Sequence, residues 1–344
     1  MMDIQEIKTN AAPDETVIRS ELIALAQEFL YEGLVVRTWG NFSARIDDDT
    51  FLITPSGRSY HDLEPEELVK CSISTGKKLE SELGTPSSEA PMHAIVYRKR
   101  PEYKVLAHTH QVYASALSLA SSPIVLNDLF RERLGAEFIM ISPYGLPGTK
   151  RLHRHMEASL ENLDAPFILM ERHGAFLFGE NYNDCLIRAR TLEECARALY
   201  EERVGRRDAP RAAIHDDTPE EKAAVRVIGS IDQMAVCVSC DPELQCLLDR
   251  PMGAYLDDFA QICGVKIGCD PGKNNVFFIP EKRQAVCFAD TIAEAQNVRA
   301  VLEKNTRACH IALLEQKKPL AFWESRLMRY IYQNKYSKKA QRKE

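Results

Sequence analysis

Apolar and polar positions along this chain alternate between a helical period and a strand period. From Glu15 to Glu32, Val17, Ile18, Leu22, Ile23, Leu25, Ala26, Phe29 and Leu30 recur at helical spacing, and Gly33 supplies a stop. Two short strands are expected at Asn41–Arg45 and Thr50–Thr54, joined by the turn-forming Asp47-Asp48-Asp49. Ser87 is placed to cap a helix running through about Arg98, with Glu89 in its first turn. A strand Val105–His108, a helix near Val112–Leu119 and a strand near Phe138–Ile141 follow. Then come a helix near Lys150–Leu163, the strands Phe167–Met170 and Ala175–Phe178, and a long helix from about Tyr182 to Arg203. Strands and helices interleaved in this way predict a layered α/β domain.

With 344 residues the chain exceeds one ordinary domain, and two are expected. Residues 1–15 are polar and read as a flexible N-terminus, and residues 16–205 as the first domain. Residues 206–218 are charged, contain Pro210 and lack apolar periodicity, which marks a linker. Residues 219–321 form a second α/β region. Residues 322–344 form a terminal helix with a basic tail, Lys338-Lys339-Ala340-Gln341-Arg342-Lys343, read as a solvated end.

A net charge of −6 argues against a general nucleic-acid binder. No apolar run approaches membrane-spanning length and the first residues show no signal-peptide pattern, so a cytoplasmic protein with no membrane partner is expected. Ten cysteines are scattered through apparent helices and strands. Cys237-Val238-Ser239-Cys240 is formally a C-x-x-C pair, but it lacks a second Cys/His pair and sits in an apolar run, which favours a structural role.

The chemistry concentrates on three histidines and a glutamate. His108-Thr109-His110 closes one apolar run, and side chains alternate along a strand, so the two imidazoles share a side. A lone H-x-H is also an ordinary polar strand end. Here a second apolar run, Phe167-Ile168-Leu169-Met170, leads into Glu171-Arg172-His173-Gly174. His173 would complete a facial His₃ set with one open metal position, which Glu89 would fill or flank. Ser87 and Ser88, at a helix start, offer hydroxyls and free N–H groups to an anion; Ser56 adds a hydroxyl, and Gly57 permits close backbone approach.

In order, Gly40-Asn41-Phe42-Ser43, Thr54-Pro55-Ser56-Gly57, Pro86-Ser87-Ser88-Glu89, His108-Thr109-His110 and His173-Gly174 together resemble the class II aldolase/adducin family over about residues 17–203. The resemblance implies a three-layer domain with a central, mostly antiparallel sheet. It implies His108, His110 and His173 as metal ligands, with Glu89 beside or on the metal as acid/base. Thr38 and Asn41 match the family's third phosphate-binding loop, which adds to Ser56, Gly57, Ser87 and Ser88. The implied cofactor is Zn²⁺, with Mn²⁺, Co²⁺ or Fe²⁺ as alternatives. The implied reaction is cleavage of a phosphorylated ketose to a triose phosphate and an aldehyde through an enediolate. The implied assembly is a homo-oligomer, such as a tetramer, with sites between subunits.

One departure leaves alternatives open. Fuculose-phosphate-type aldolases carry a tyrosine roughly 20 residues after H-x-H, whereas this chain has Leu126-Asn127-Asp128-Leu129. Ribulose-phosphate 4-epimerases use an aspartate in a comparable place, which makes Asp128 a candidate second acid/base supplied across an interface. Those epimerases, however, carry Asp where this chain has Glu89. Asp128 would equally serve as a helix N-cap. Adducin-type relatives use the fold as a non-catalytic scaffold, and retention of the ligand set argues against that here.

Residues 167–198 also align with 277–308. Phe167/Phe277, Glu171/Glu281, Ala175/Ala285, Phe178/Phe288, Leu192/Leu302 and Arg197/Arg307 match, and a fainter echo pairs Leu117, Leu126 and Asp128 with Leu247, Leu256 and Asp258. In that register His108 and His110 fall opposite Val238 and Cys240, and His173 opposite Arg283. The C-terminal region would then be a degenerate, metal-free partial repeat. The alternative, that two α/β segments have been slid to a partial match, stays open at this stage.

Overall fold

The computed structural model describes residues 14–36, 38–205 and 234–335. Its first elements are α1 (Glu15–Tyr31), β1 (Asn41–Arg45), β2 (Thr50–Ile53), β3 (Val69–Ser72), α2 (Ala90–Lys99), β4 (Val105–Thr109) and α3 (Val112–Leu117). These are followed by β5 (Ile124–Val125), α4 (Asp128–Leu134), β6 (Phe138–Ile139), β7 (Ile141–Ser142), α5 (Lys150–Leu160), β8 (Phe167–Met170), β9 (Gly174–Gly179) and α6 (Tyr182–Val204). Beyond residue 234 lie β10 (Ala235–Ser239), α7 (Pro242–Gln245), β11 (Met252–Gly253), α8 (Asp257–Ile262), β12 (Lys266–Ile267), β13 (Val276–Ile279), β14 (Gln284–Ala289), α9 (Ile292–Leu314) and α10 (Phe322–Lys335).

The first sheet has the order β3-β2-β1-β4-β9-β8-β7, and every pair is antiparallel except β7 with β8. Helices α1, α3 and α4 pack on α6, α2 packs on α5, and the sheet lies between the two groups. Strands β4, β8 and β9 are buried at every residue, which is why they read as continuous apolar runs rather than alternating ones.

The pairing places the site. Asn41 on β1 and Phe176 on β9 both stand opposite His108 on β4. Two glycines permit the close approach. A Cβ on Gly174 would stand 2.2 Å from the Thr109 carbonyl oxygen, and one on Gly40, whose φ is +102°, 2.5 Å from the His108 carbonyl oxygen.

The C-terminal region repeats part of this arrangement. Strands β10, β14 and β13 lie in that order and pair antiparallel, as β4, β9 and β8 do. The registers match as well: Val105↔Gly179 and Thr109↔Ala175 in one sheet correspond to Ala235↔Ala289 and Ser239↔Ala285 in the other. The small ribbon β11–β12 echoes β5–β6. Helices α6 and α9 both have 23 residues, and each is capped by a side chain that accepts the third helical N–H, Asn181 from Asp184 and Thr291 from Glu294. The sequence echo is therefore a repeat of topology and register. Helix α9 also packs on α3, which joins the two units through one apolar core.

Some expectations change. Ser87 is not the cap of α2: the helix starts at Ala90 with Glu89 at the N-cap, and the Ser87 hydroxyl accepts from the Glu89 N–H at 3.3 Å. Asn127, not Asp128, caps α4, because its side chain accepts the Phe130 N–H at 2.9 Å. Glu15 opens α1 behind an Asp14 cap rather than ending a flexible segment. Strand β3 and helix α4 are elements that the periodicity did not reveal. Cys237 is buried on β10 opposite Cys287, and all ten cysteines are free thiols. The linker 206–218, residues 1–13 and the basic tail lie outside the described residues.

Candidate metal centre

Three imidazoles meet at the ends of the central strands of the first sheet. Strand β4 carries His108 to its end and His110 follows just past it, while His173 occupies the tight turn between β8 and β9. The ring centroids lie 4.8 Å (His108–His110), 4.8 Å (His108–His173) and 4.9 Å (His110–His173) apart. One potential ligand nitrogen from each lies within 4.8 Å of the others. The His108 and His110 Nε2 atoms approach to 2.9 Å.

Glu89 reaches the same point from the start of α2. Its Oε1 lies 2.9 Å from His173 Nε2 and its Oε2 3.3 Å from His108 Nε2. Asn41 donates its side-chain N–H to Glu89 Oε2 at 2.7 Å. Burial alone would raise the Glu89 carboxyl, but His108, His173 and Asn41 hold it well below the usual carboxylate range. Burial drives His108 the other way, well below the ordinary imidazole value. Burial also opposes charge on His173, yet the carboxylates of Asp257 and Glu89 on either side of the ring raise it well above that value.

The donor set fits a divalent transition metal. Nε2 of each imidazole faces inward and Nδ1 faces outward, with His108 Nδ1 bonded to the Ala175 carbonyl at 3.0 Å. An outer acceptor of this kind keeps the proton on Nδ1 and leaves the Nε2 lone pair for an ion.

The expected anion-binding segments are stitched together beside this group. Pro55 and Pro86 form an isolated bridge, Ser56 N–H donates to the Thr85 carbonyl at 3.0 Å, and Ser87 N–H to the Thr54 carbonyl at 3.2 Å. Tyr60 OH donates to the Gly40 carbonyl at 2.8 Å, which ties in the segment holding Thr38 and Asn41. Gly57 and Ser88 are exposed, and Thr38, Ser56 and Ser87 half-buried. The Asn41 side-chain amide bonds Glu89 through its nitrogen and His93 through its oxygen, so it orients the carboxylate.

Asp128 does not join the histidines within one chain. Its side chain is fully solvent-exposed and pairs loosely with Arg131 at 3.6 Å. Sequence reasoning missed a buried relay behind Glu89. Tyr97 OH and His93 Nδ1 lie 2.8 and 2.6 Å from Ser43 Oγ, and His93 Nε2 meets Asn41 Oδ1. The signal was present: Ser43 lies two residues after Asn41 on β1, and His93 and Tyr97 follow Glu89 at helical intervals of four. Asp257 and Asp258 were missed too, for want of any motif.

Glu89, His108, His110 and His173 all lie within a span that matches a known family. The model of the family described as Class II Aldolase and Adducin N-terminal domain matches residues 20–200. A 3-oxo-tetronate 4-phosphate decarboxylase of Pectobacterium atrosepticum is 30% identical over 189 residues, covering 53% of this chain and 83% of that protein. An L-fuculose phosphate aldolase of Haemophilus influenzae is 32% identical over 179 residues, covering 52% of this chain and 80% of its own. A solved L-fuculose 1-phosphate aldolase superposes with a TM-score of 0.50 at 24% identity, covering 57% of this chain and 91% of its own, a likeness of fold.

Proposed function

Since the chain belongs to the class II aldolase and adducin family, we propose that it is a metal-dependent lyase that cleaves a phosphorylated ketose between the carbon next to its carbonyl and the hydroxyl-bearing carbon beyond it. The observation that carries this reading is the convergence of His108, His110 and His173 on one point beside Glu89. A Zn²⁺ or similar ion held there would act as a Lewis acid on the substrate carbonyl.

The residues of this chain supply the rest. Glu89, fixed by Asn41, takes the proton from the hydroxyl on the carbon being released. The O–H electrons form the new aldehyde, the carbon–carbon bond breaks, and its electron pair passes into the ketone fragment. Glu89 then gives that proton to the carbon of the ketone fragment that received the electron pair, which completes the ketone product and restores the carboxylate. Ser56, Ser87, Ser88 and Thr38 hold the phosphate through their hydroxyls, and Gly57 and Ser88 through their backbone N–H groups, since those of Ser56 and Ser87 already bond carbonyls. A homo-oligomer and a cytoplasmic setting complete the proposal; no described helix is long and apolar enough to cross a membrane.

A second reading has specific support, because relatives of nearly equal identity include a decarboxylase of a phosphorylated oxo acid. Both reactions leave an electron pair next to a carbonyl, and they differ in the fragment that departs. Zinc-loaded protein incubated with a panel of ketose 1-phosphates and oxo-acid phosphates distinguishes them. Triose phosphate and aldehyde establish the aldolase, carbon dioxide the decarboxylase, and an isomer alone an epimerase. A protein that holds no stoichiometric divalent ion refutes the lyase reading altogether.

A further inference from the structure

The turn that carries His173 is gripped from outside the family-matched span, by the C-terminal repeat. Lys317 Nζ donates to Glu171 Oε1 at 2.7 Å. The Arg172 carbonyl accepts the Asp257 N–H at 3.1 Å, and its guanidinium donates to the Lys318 carbonyl at 2.8 Å. His173 Nδ1 bonds the fully buried Asp257 carboxylate. His110 is approached from the same side. Its Nδ1 lies 3.5 Å from Asp258 Oδ2, its carbonyl accepts Lys304 Nζ at 3.2 Å, and Lys304 closes a buried ion pair with Asp258. Of the three imidazoles, only His108 has its outer nitrogen held from within the first sheet.

We propose that Asp257 and Asp258 are positioning residues of the metal centre, so that the repeat, which has no histidine set, serves as the outer wall of the first unit's site. The inference rests on the metal-dependent reading above. A carboxylate on Nδ1 fixes the tautomer and ring angle of a ligating imidazole and strengthens the donor Nε2. Asp257 does this for His173 directly. Asp258, held by Lys304, places its charge at the outer edge of His110. The repeat explains the placement: Asp258 aligns with Asp128, which in its own unit points to solvent. The second copy presents the same position inward, to the first copy's histidines. An acid that the sequence suggested would cross an interface between chains is thereby supplied within one.

The test uses the full chain. Zinc affinity is measured by competition with a chromophoric chelator, and ligand geometry from the visible bands of the cobalt-substituted protein. Asp257→Ala is expected to weaken zinc binding about 10- to 100-fold and to shift the cobalt bands. Asp257→Asn, which keeps an acceptor but loses the charge, is expected to fall between it and the parent, and reads the effect should the alanine variant misfold. Asp241→Asn removes a carboxylate of the same region that pairs with Arg307 at 2.8 Å, and is expected to leave zinc affinity unchanged. Parental affinity in both Asp257 variants overturns the inference, as does equal weakening by Asp241→Asn. If the parent holds zinc and cleaves substrate while the Asp257 variants match it, only this inference fails; if the parent holds no zinc, the functional reading fails first.

Discussion

At the scale of single residues, the site depends on which groups are held and which are free to move a proton. Glu89 has three neighbours, all oriented, and an isosteric amide keeps the shape while removing the base. Glu89→Gln is therefore expected to retain the metal and to lose about 10²- to 10⁴-fold in kcat; full metal loss with otherwise ordinary turnover on reloading would show that Glu89 is a ligand only. His93 makes a pH prediction. Burial pushes its imidazole down to about 3, against an ordinary value near 6.5. The unfolded chain then binds the extra proton first, so this contribution to stability is complete above about pH 6.5 and is lost as pH falls from there toward 3. Urea unfolding of the chelated protein is expected to lose about 1.4 kcal/mol per pH unit through this group over that window. His93→Gln should flatten the slope by the same amount, and an unchanged slope would mean that His93 is charged in the fold.

At the scale of elements, the strands had the clearest sequence signals and the turns the weakest. Val105–Thr109 and Phe167–Met170 were legible because fully buried strands read as unbroken apolar runs. Strand β3, Val-Lys-Cys-Ser, alternates buried and half-buried over only four residues, too short a pattern to separate from loop. The start of α2 was misplaced by Ser87 because a hydroxyl caps a turn as readily as a helix, and here it accepts from Glu89. Gly174 is where an element sets the site. Gly174→Ala would drive a methyl into the Thr109 carbonyl and part β9 from β4 beside His108. A loss of about 1 to 3 kcal/mol in urea unfolding is expected, together with weaker zinc binding. Wild-type stability in that variant would show that the two strands have room to separate.

At the scale of the whole molecule, two units of related topology share one core, and among the described residues only the first brings three histidines together. Val238, Cys240 and Arg283 stand in the second unit where the first has its histidines. Metal analysis is expected to return one divalent ion per chain; two would require a second site. Since folding assembles ligands that lie far apart in sequence, the ion binds the native state alone. Free zinc at about 1,000 times its Kd should then add about 4 kcal/mol of stability, and chelation should lower the thermal midpoint accordingly. An unmoved midpoint would mean that the three imidazoles do not hold the ion.

The sequence by itself determined the interleaved α/β pattern, the choice of three histidines and Glu89 as the candidate metal centre, and the echo between the two units. Each rests on local periodicity, or on short runs of residues whose spacing carries the signal. Tertiary structure alone decided that Asn41 serves Glu89, that Asp128 faces solvent, and that Asp257 and Asp258 stand behind the histidines. The contacts of Asn41, Asp257 and Asp258 join residues more than forty positions apart, through sheet register and through the packing of one unit on the other. Register and packing are set by the burial of many apolar side chains at once, so no single stretch of the chain records where a given polar group will end up.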